Sequence, residues 1–247
     1  SQSQLEDNTP VADVAARAVH LLGPTYHDTG DQLATGFEAS STRYKVLKDE
    51  YYSSRNTAVV TPQVAAQLLT SNTPTTTWDF WELYSQSARL TKTAEASGLR
   101  VGPPIDARHG WNLTLPKHQQ LVSQLLDKFR PRILWMSPDC RAWSVASSSS
   151  KTTSSDRLSE MPMLAWLAEL GVSQHRRGCV FVHEHPKRSP QVSDSPLSKW
   201  LSEGIAKQKT LAQCAYGACH CGQPVQKLTT LTCSSSLPLL VAPPPCS

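Results

Sequence analysis

No apolar run in this sequence reaches the roughly 18 residues needed to span a bilayer, and its start does not read as a signal peptide. Membrane-spanning and exported readings are therefore set aside. Charge is scarce: Asp, Glu, Lys and Arg make up 18% of the chain, and Ser and Thr take their place. The net charge of +4 permits a polyanionic partner without demanding one. Seven cysteines at irregular spacing are an odd count and not a disulfide framework, so a reducing compartment, nuclear or cytoplasmic, is expected. The chain opens at Ser1 and not at Met, and is read as a fragment or a processed product.

What is present suits a globular protein. The 247 residues are 39% hydrophobic, enough for one sizeable core or two small domains. Residues 1–77 read as a helical extension and linker. Val11–Leu22 has helical periodicity, and Thr61-Pro62 caps a short helix over Pro62–Leu69. From Trp78 the pattern changes to strands alternating with helices. Strands are predicted at Trp78–Tyr84, Leu99–Val101, Arg132–Met136, Cys179–His183, Leu211–Ala215 and Val225–Cys233. Helices are predicted at Ser87–Ser97, His118–Phe129, Asp156–Val172 and Pro196–Ala206. Repeated βα units of this kind imply an α/β domain over residues 78–233, Rossmann-like, with a mostly parallel sheet and helices on both faces. An extended tail follows over 234–247. In such sheets ligands bind beyond the carboxyl ends of the strands.

Four segments at those ends carry candidate chemistry. The first, Glu82-Leu83-Tyr84-Ser85-Gln86-Ser87-Ala88, closes a strand and opens a helix. The second carries Asp106 about 20 residues on, where an acid in Rossmann-like folds accepts from ribose hydroxyls. Asn112 follows in the next turn. The third is Ser137-Pro138-Asp139-Cys140-Arg141, with Ser144 four residues after the Cys. The fourth is His183-Glu184-His185-Pro186. The two histidines flank the acid, so both side chains fall on one face of a strand and could pair there.

In this order the segments resemble the motifs of DNA cytosine-5 methyltransferases, in a divergent form of the kind seen in mobile-element-derived genes. Tyr84 matches the Phe of the family's first motif, and Gln86 and Ala88 stand where its two glycines belong. The resemblance implies S-adenosyl-L-methionine as cofactor, held by Tyr84, Ser85, Gln86, Asp106, Asn112 and Pro138. It implies Cys140 as the nucleophile that attacks carbon 6 of cytosine, and Glu184 as the acid that hydrogen-bonds the base. Arg141 is expected to help lower the thiol pKa, and Asp139 to oppose it. Arg141, Lys187 and Arg188, with Lys151, are expected to meet phosphates, of DNA before RNA. The family's Gln-x-Arg-x-Arg strand, target-recognition domain and final motif helix are not found, and Val11–Leu22 is expected to stand in for that helix. Methylation of an exocyclic amine fits Ser137-Pro138 less well, because Cys140 replaces an aromatic residue. The C-terminal Cys214, Cys219, His220, Cys221, Cys233 and Cys246 lack the spacing of a usual zinc knuckle, and no metal is expected. The competing reading is an inactive methyltransferase-like domain that binds nucleic acid or protein within a larger assembly.

Overall fold

The computed structural model describes residues 60–71, 76–86, 88–144, 153–212, 219–220, 223–224 and 227–236. The expected helix at Val11–Leu22, Ser87, Lys151 and Cys214, Cys221 and Cys246 lie outside the described residues.

Seven strands are present among them: β1 (Phe80–Leu83), β2 (Ile133–Met136), β3 (Val180–Pro186), β4 (Ala206–Ala212), β5 (Cys219–His220), β6 (Gln223–Pro224) and β7 (Leu228–Ser234). β5 and β6 pair only with each other. The other five form one sheet in the order β1-β2-β3-β7-β4. β1, β2 and β3 are parallel, and β7 is antiparallel to both β3 and β4. The parallel core is as expected, and the antiparallel insertion of β7 is new. The predicted strand at Leu99–Val101 is reduced to two parallel bridges, Phe80 to Val101 and Leu83 to Ile105, on the free edge of β1. The chain passes so close to two indoles there that a Cβ on Gly102 would fall 2.5 Å from Trp78 and Trp81.

From β1 the chain steps outward to residues 101–105, then returns past β1 to build β2 on its other side. The strand order thus reverses between β1 and β2. Such a switch point opens a crevice beyond the carboxyl ends of the two strands.

Helices cover both faces. Among the described residues the α-helices are α1 (Pro62–Thr70), α2 (Arg89–Ala96), α3 (Pro116–Phe129), α4 (Thr153–Arg176) and α5 (Lys199–Ser202). Alternation along the strands splits the core in two. Trp81, Leu83, Leu134, Met136 and Phe181 face Leu125 and Leu126 of α3, Leu164 and Leu167 of α4, and Trp200 of α5. Phe80, Ile133, Trp135, Val180 and Val182 face Leu90 and Ala94 of α2. α1 joins the first core through Ala65. Its C-terminal carbonyls are capped from α3, where the Lys128 ammonium donates to the oxygens of Leu68 (2.6 Å) and Ser71 (3.0 Å). The predicted helix at Pro196–Ala206 is shorter, a 3-10 turn at Pro196–Ser198 followed by α5. Gly204 in the left-handed region ends it, and β4 begins at Ala206, earlier than expected. Among the described residues, no helix is long and apolar enough to cross a membrane.

Trp200 locks α5 onto α4. Its indole N–H donates to the Ala168 carbonyl (2.9 Å), and its ring fills the space above Gly171, where a Cβ would sit 2.6 Å from the ring nitrogen. Gly171→Ala should therefore cost about 1–3 kcal/mol through overpacking. A denaturant melt with an unchanged midpoint would show that Trp200 can withdraw.

Candidate functional site at the strand ends

The turn after β1 adopts the backbone of a glycine loop without glycine. Tyr84, Gln86 and Ala88 all have positive φ, at 61°, 44° and 52°. For L-residues this region costs roughly 1–2 kcal/mol each. Two carboxylates hold the turn. Asp106 accepts from the Gln86 N–H (2.8 Å) through one oxygen and from the Arg108 N–H (3.0 Å) through the other. It thereby ties the first loop to the second. Ala88 is the N-cap residue of α2 and has no side-chain acceptor. Glu82, buried at the end of β1, supplies it from a distance by accepting from the Thr91 N–H (3.0 Å) and hydroxyl. Burial pushes Glu82 up to about 7, against the lowering effect of the Thr91 contacts.

Two polar groups in this loop are buried without a partner: the Tyr84 and Ser85 hydroxyls. Burial, with Glu160 nearby, also raises the Tyr84 phenol well above its ordinary range. Asn112 is exposed, and its side-chain oxygen accepts from both the N–H (3.1 Å) and the hydroxyl (2.6 Å) of Thr114. Both lone pairs are then used, so Asn112 is left as a donor and not the acceptor expected from the sequence.

The Cys140 loop leaves β2 at the other side of the switch point. Pro138 is buried, Cys140 half-buried and Asp139 exposed. Buried Trp143 anchors the loop by donating to Glu160 on α4 (2.6 Å). Gln191 and Ser189, from the loop after β3, donate to the carbonyls of Asp139 (3.2 Å) and Trp143 (3.0 Å). Arg141 does not serve the thiol as expected. Its side chain is 90% exposed and pairs with Asp139 at 2.7 Å. Burial pushes the Cys140 thiol up. Asp139 and Glu184 add to this, and Lys227 opposes it.

Glu184 faces the same side of the sheet as Glu82 and Trp135, in line with strand alternation. The Ser137 hydroxyl lies 3.5 Å from it and itself accepts from the Trp135 indole (2.8 Å). Burial pushes Glu184 up, while Lys227 and Ser137 pull it down. Glu184 and Lys227 are thus within electrostatic reach of Cys140 and of each other, and Ser137 lies beside Glu184. Lys227 and Glu82 were not singled out from the sequence. Lys227 lies just before the antiparallel strand β7, and nothing in its neighbours signals that placement.

The histidines lie on the opposite face and do pair. The rings of His183 and His185 stack with centroids 5.4 Å apart. His183 is fully buried, with no hydrogen bond of good geometry at either nitrogen. Burial and His185 push it down to about 3, although Gln191 faces it. His185 contacts the Thr232 hydroxyl and the Pro186 carbonyl, both at 3.2 Å. Lys187 and Arg188 are exposed on the turn that follows, Arg188 with φ 65°.

Gln86→Gly should relieve the left-handed strain, partly offset by the extra freedom glycine gives the unfolded chain, for a net gain of up to about 1 kcal/mol. A lower denaturation midpoint would show that the Gln86 side chain contributes a contact of its own. Glu82 and His183 make opposing pH terms. Between 4.5 and about 7 the folded state holds a proton on Glu82 that the unfolded chain has released, so stability falls as pH rises. Between about 3 and 6.5 the unfolded chain holds the extra proton on the histidine, so stability is lost as pH falls. Each slope is at most about 1.4 kcal/mol per pH unit. Where the windows overlap, the two largely cancel. Glu82→Gln should leave a Tm that climbs from pH 4.5 to 6.5, and His183→Phe one that declines over that range. Parallel Tm–pH curves for the three proteins would refute both assignments.

No protein-family model matches the sequence, and no curated protein does. Among solved structures the chain is similar to the precorrin-6y C5,15-methyltransferase of Geobacter metallireducens GS-15. The TM-score is 0.30 and the identity 11%, over 70% of this chain and 89% of that one. A likeness that distant carries no argument about activity.

Proposed function

We propose that this chain is an S-adenosylmethionine-dependent methyltransferase-like protein acting on cytosine carbon 5 of a nucleic acid, with Cys140 as nucleophile and Glu184 as orienting acid. The observation that carries the reading is the glycine-type turn kept at the switch point. Three non-glycine residues hold a costly backbone there, beside two buried hydroxyls with no protein partner. Backbone strain and unsatisfied buried groups concentrate where a ligand completes a site.

The residues fit the cofactor. Tyr84, Ser85 and Gln86 would line its pocket, and Pro138 would wall it. Asp106 Oδ1 serves the Arg108 N–H and also faces the Arg108 guanidinium at 3.9 Å, while Oδ2 takes the Gln86 N–H and has a second lone pair for a ribose hydroxyl. Asn112 would donate to an adenine ring nitrogen. The cofactor, when bound, supplies an electrophilic methyl group.

This chain's residues would handle the base. A cytosine must leave the stack to reach Cys140 and Glu184. Glu184, with its raised pKa, keeps a proton to higher pH than an ordinary carboxyl and can donate it to the ring nitrogen. That withdraws electrons from carbon 6. Cys140 must lose its proton to attack, and Lys227 is the group whose charge favours the thiolate. Arg141, Lys187 and Arg188 are exposed cations suited to phosphates.

A second reading has its own support. Burial and two carboxylates hold the Cys140 thiol protonated, as suits an inactive domain that binds nucleic acid or a protein partner. Calorimetric titration with S-adenosylhomocysteine separates the two. Tyr84→Phe should leave the free protein as stable or more so, since it removes an unpartnered hydroxyl, yet weaken binding. Cys140→Ala should keep binding and abolish 5-methylcytosine formation. Unchanged turnover in Cys140→Ala excludes the thiolate route. Folded protein with no saturable binding leaves the inactive reading.

A further inference from the structure

On the face of β3 opposite Glu184 lies a cleft of about 300 Å³, between the turn after β3, the end of α5 and strands β7 and β4. Among the described residues its lining includes none of β1, β2 or the loops that follow them. Its size sits at the small end of ligand sites. Lys187, Arg188, Gln208, Thr210 and Thr230 are among the residues that line it. Among the described residues no carboxylate lines it. Asp194, beside it in sequence, accepts from the Ser193 hydroxyl (2.7 Å) and is not part of the lining.

The donors left over decide what such a cleft can hold. The hydroxyls of Thr210 and Thr230 share one hydrogen bond (3.0 Å), which uses one of their two protons and leaves the other. The Gln208 amide spends one N–H on Thr232 (3.0 Å) and keeps its second. The Ser189 hydroxyl is already committed to the Trp143 carbonyl (3.0 Å). Two neutral donors and two cations therefore belong to residues that line one cleft, and no lining residue is an acid among the described residues. Arg188 is held there by a left-handed backbone that is costly for an arginine.

We propose that this cleft binds a terminal phosphate, the phosphomonoester of a nucleotide-sized ligand. A phosphomonoester carries about −1.5 to −2 charge at pH 7 and three acceptor oxygens, which match two cations and two neutral donors. An internal phosphodiester offers one charge and two unesterified oxygens, a poorer match to the same four groups. The inference refines the phosphate role suggested above for Lys187 and Arg188. It does not depend on the cofactor crevice.

The test is residue-resolved NMR titration of the whole chain with uridine 5′-monophosphate, inorganic phosphate, uridine, and a uridine dinucleotide bearing only an internal phosphodiester. Saturable shifts at the amides of Lys187, Arg188, Thr210 and Thr230 are expected with the monophosphate and with phosphate, and none with uridine. Arg188→Asn tolerates the left-handed backbone, so the fold survives, and should weaken binding roughly tenfold, while Arg188→Lys keeps most of it. Affinity unchanged in Arg188→Asn, or shifts scattered over the surface, would overturn the site. Equal affinity for the dinucleotide would overturn the monoester and point to a strand backbone. Titration with S-adenosylhomocysteine in the same samples keeps the fate of the cofactor reading separate.

Discussion

The carboxylate of Asp106 is the contact on which the candidate site depends. It reaches from the second loop to the Gln86 N–H of the first and fixes both ends of one wall of the crevice. It adds a side-chain tie to the backbone bonds that close the turn, Ala88 N–H to the Ser85 carbonyl (2.6 Å) and Ser85 N–H to the Ile105 carbonyl (3.2 Å). The same logic recurs one turn later. Ala88 cannot cap α2, and Glu82 does so from the strand. Glycine would make such a turn through conformational freedom. Here side chains from neighbouring elements impose it, at the cost of burying two carboxylates close together.

That cost shapes the electrostatics of the whole strand-end region. On the α2 side of the sheet burial raises both Glu82 and Glu184, and for Glu82 the charges of Glu184 and Asp106 add to it. On the opposite side a histidine is buried neutral. Lys227 is the cation within reach of both Cys140 and Glu184. Glu82, raised to about 7, is the group through which this region changes charge near neutral pH.

Much of the fold was legible in the sequence because the signals were local. Short apolar runs mark β1, β2 and β3, and helical spacing of Leu121, Val122, Leu125 and Phe129 marks α3. Thr61-Pro62 caps α1 as its chemistry requires. Other features were hidden for physical reasons. β4 is an edge strand carrying Lys207, Gln208 and Lys209, so it lacks the apolar alternation that would announce it. The direction of β7 leaves no trace, since strand periodicity is the same either way. The order of the motifs was legible: Tyr84 follows β1, Asp106 follows the bridge at Ile105, Cys140 lies four residues after β2, and Glu184 sits inside β3, two residues before its end. Their partners were not. Arg141 turns to Asp139 because an adjacent carboxylate is easier to reach than a half-buried thiol, and the roles of Glu82 and Lys227 exist only once strands are assembled.

The insertion of β7 between β3 and β4 bears on how the chain comes off the ribosome. β3 and β4 precede β7 in sequence, yet they do not pair with each other; β3 rests on β2, and among the described residues β4 is joined to the sheet through β7. Until residue 234 has emerged, β3 shows an open edge, β4 has no neighbour in the sheet, and the polar row of His185, Thr230 and Thr232 is incomplete. Synthesis from the N-terminus can build the β1–β2–β3 half early, but closure waits for a final threading step. A nascent chain stalled in the 213–227 stretch would present bare strand edges to chaperones and to other copies of itself.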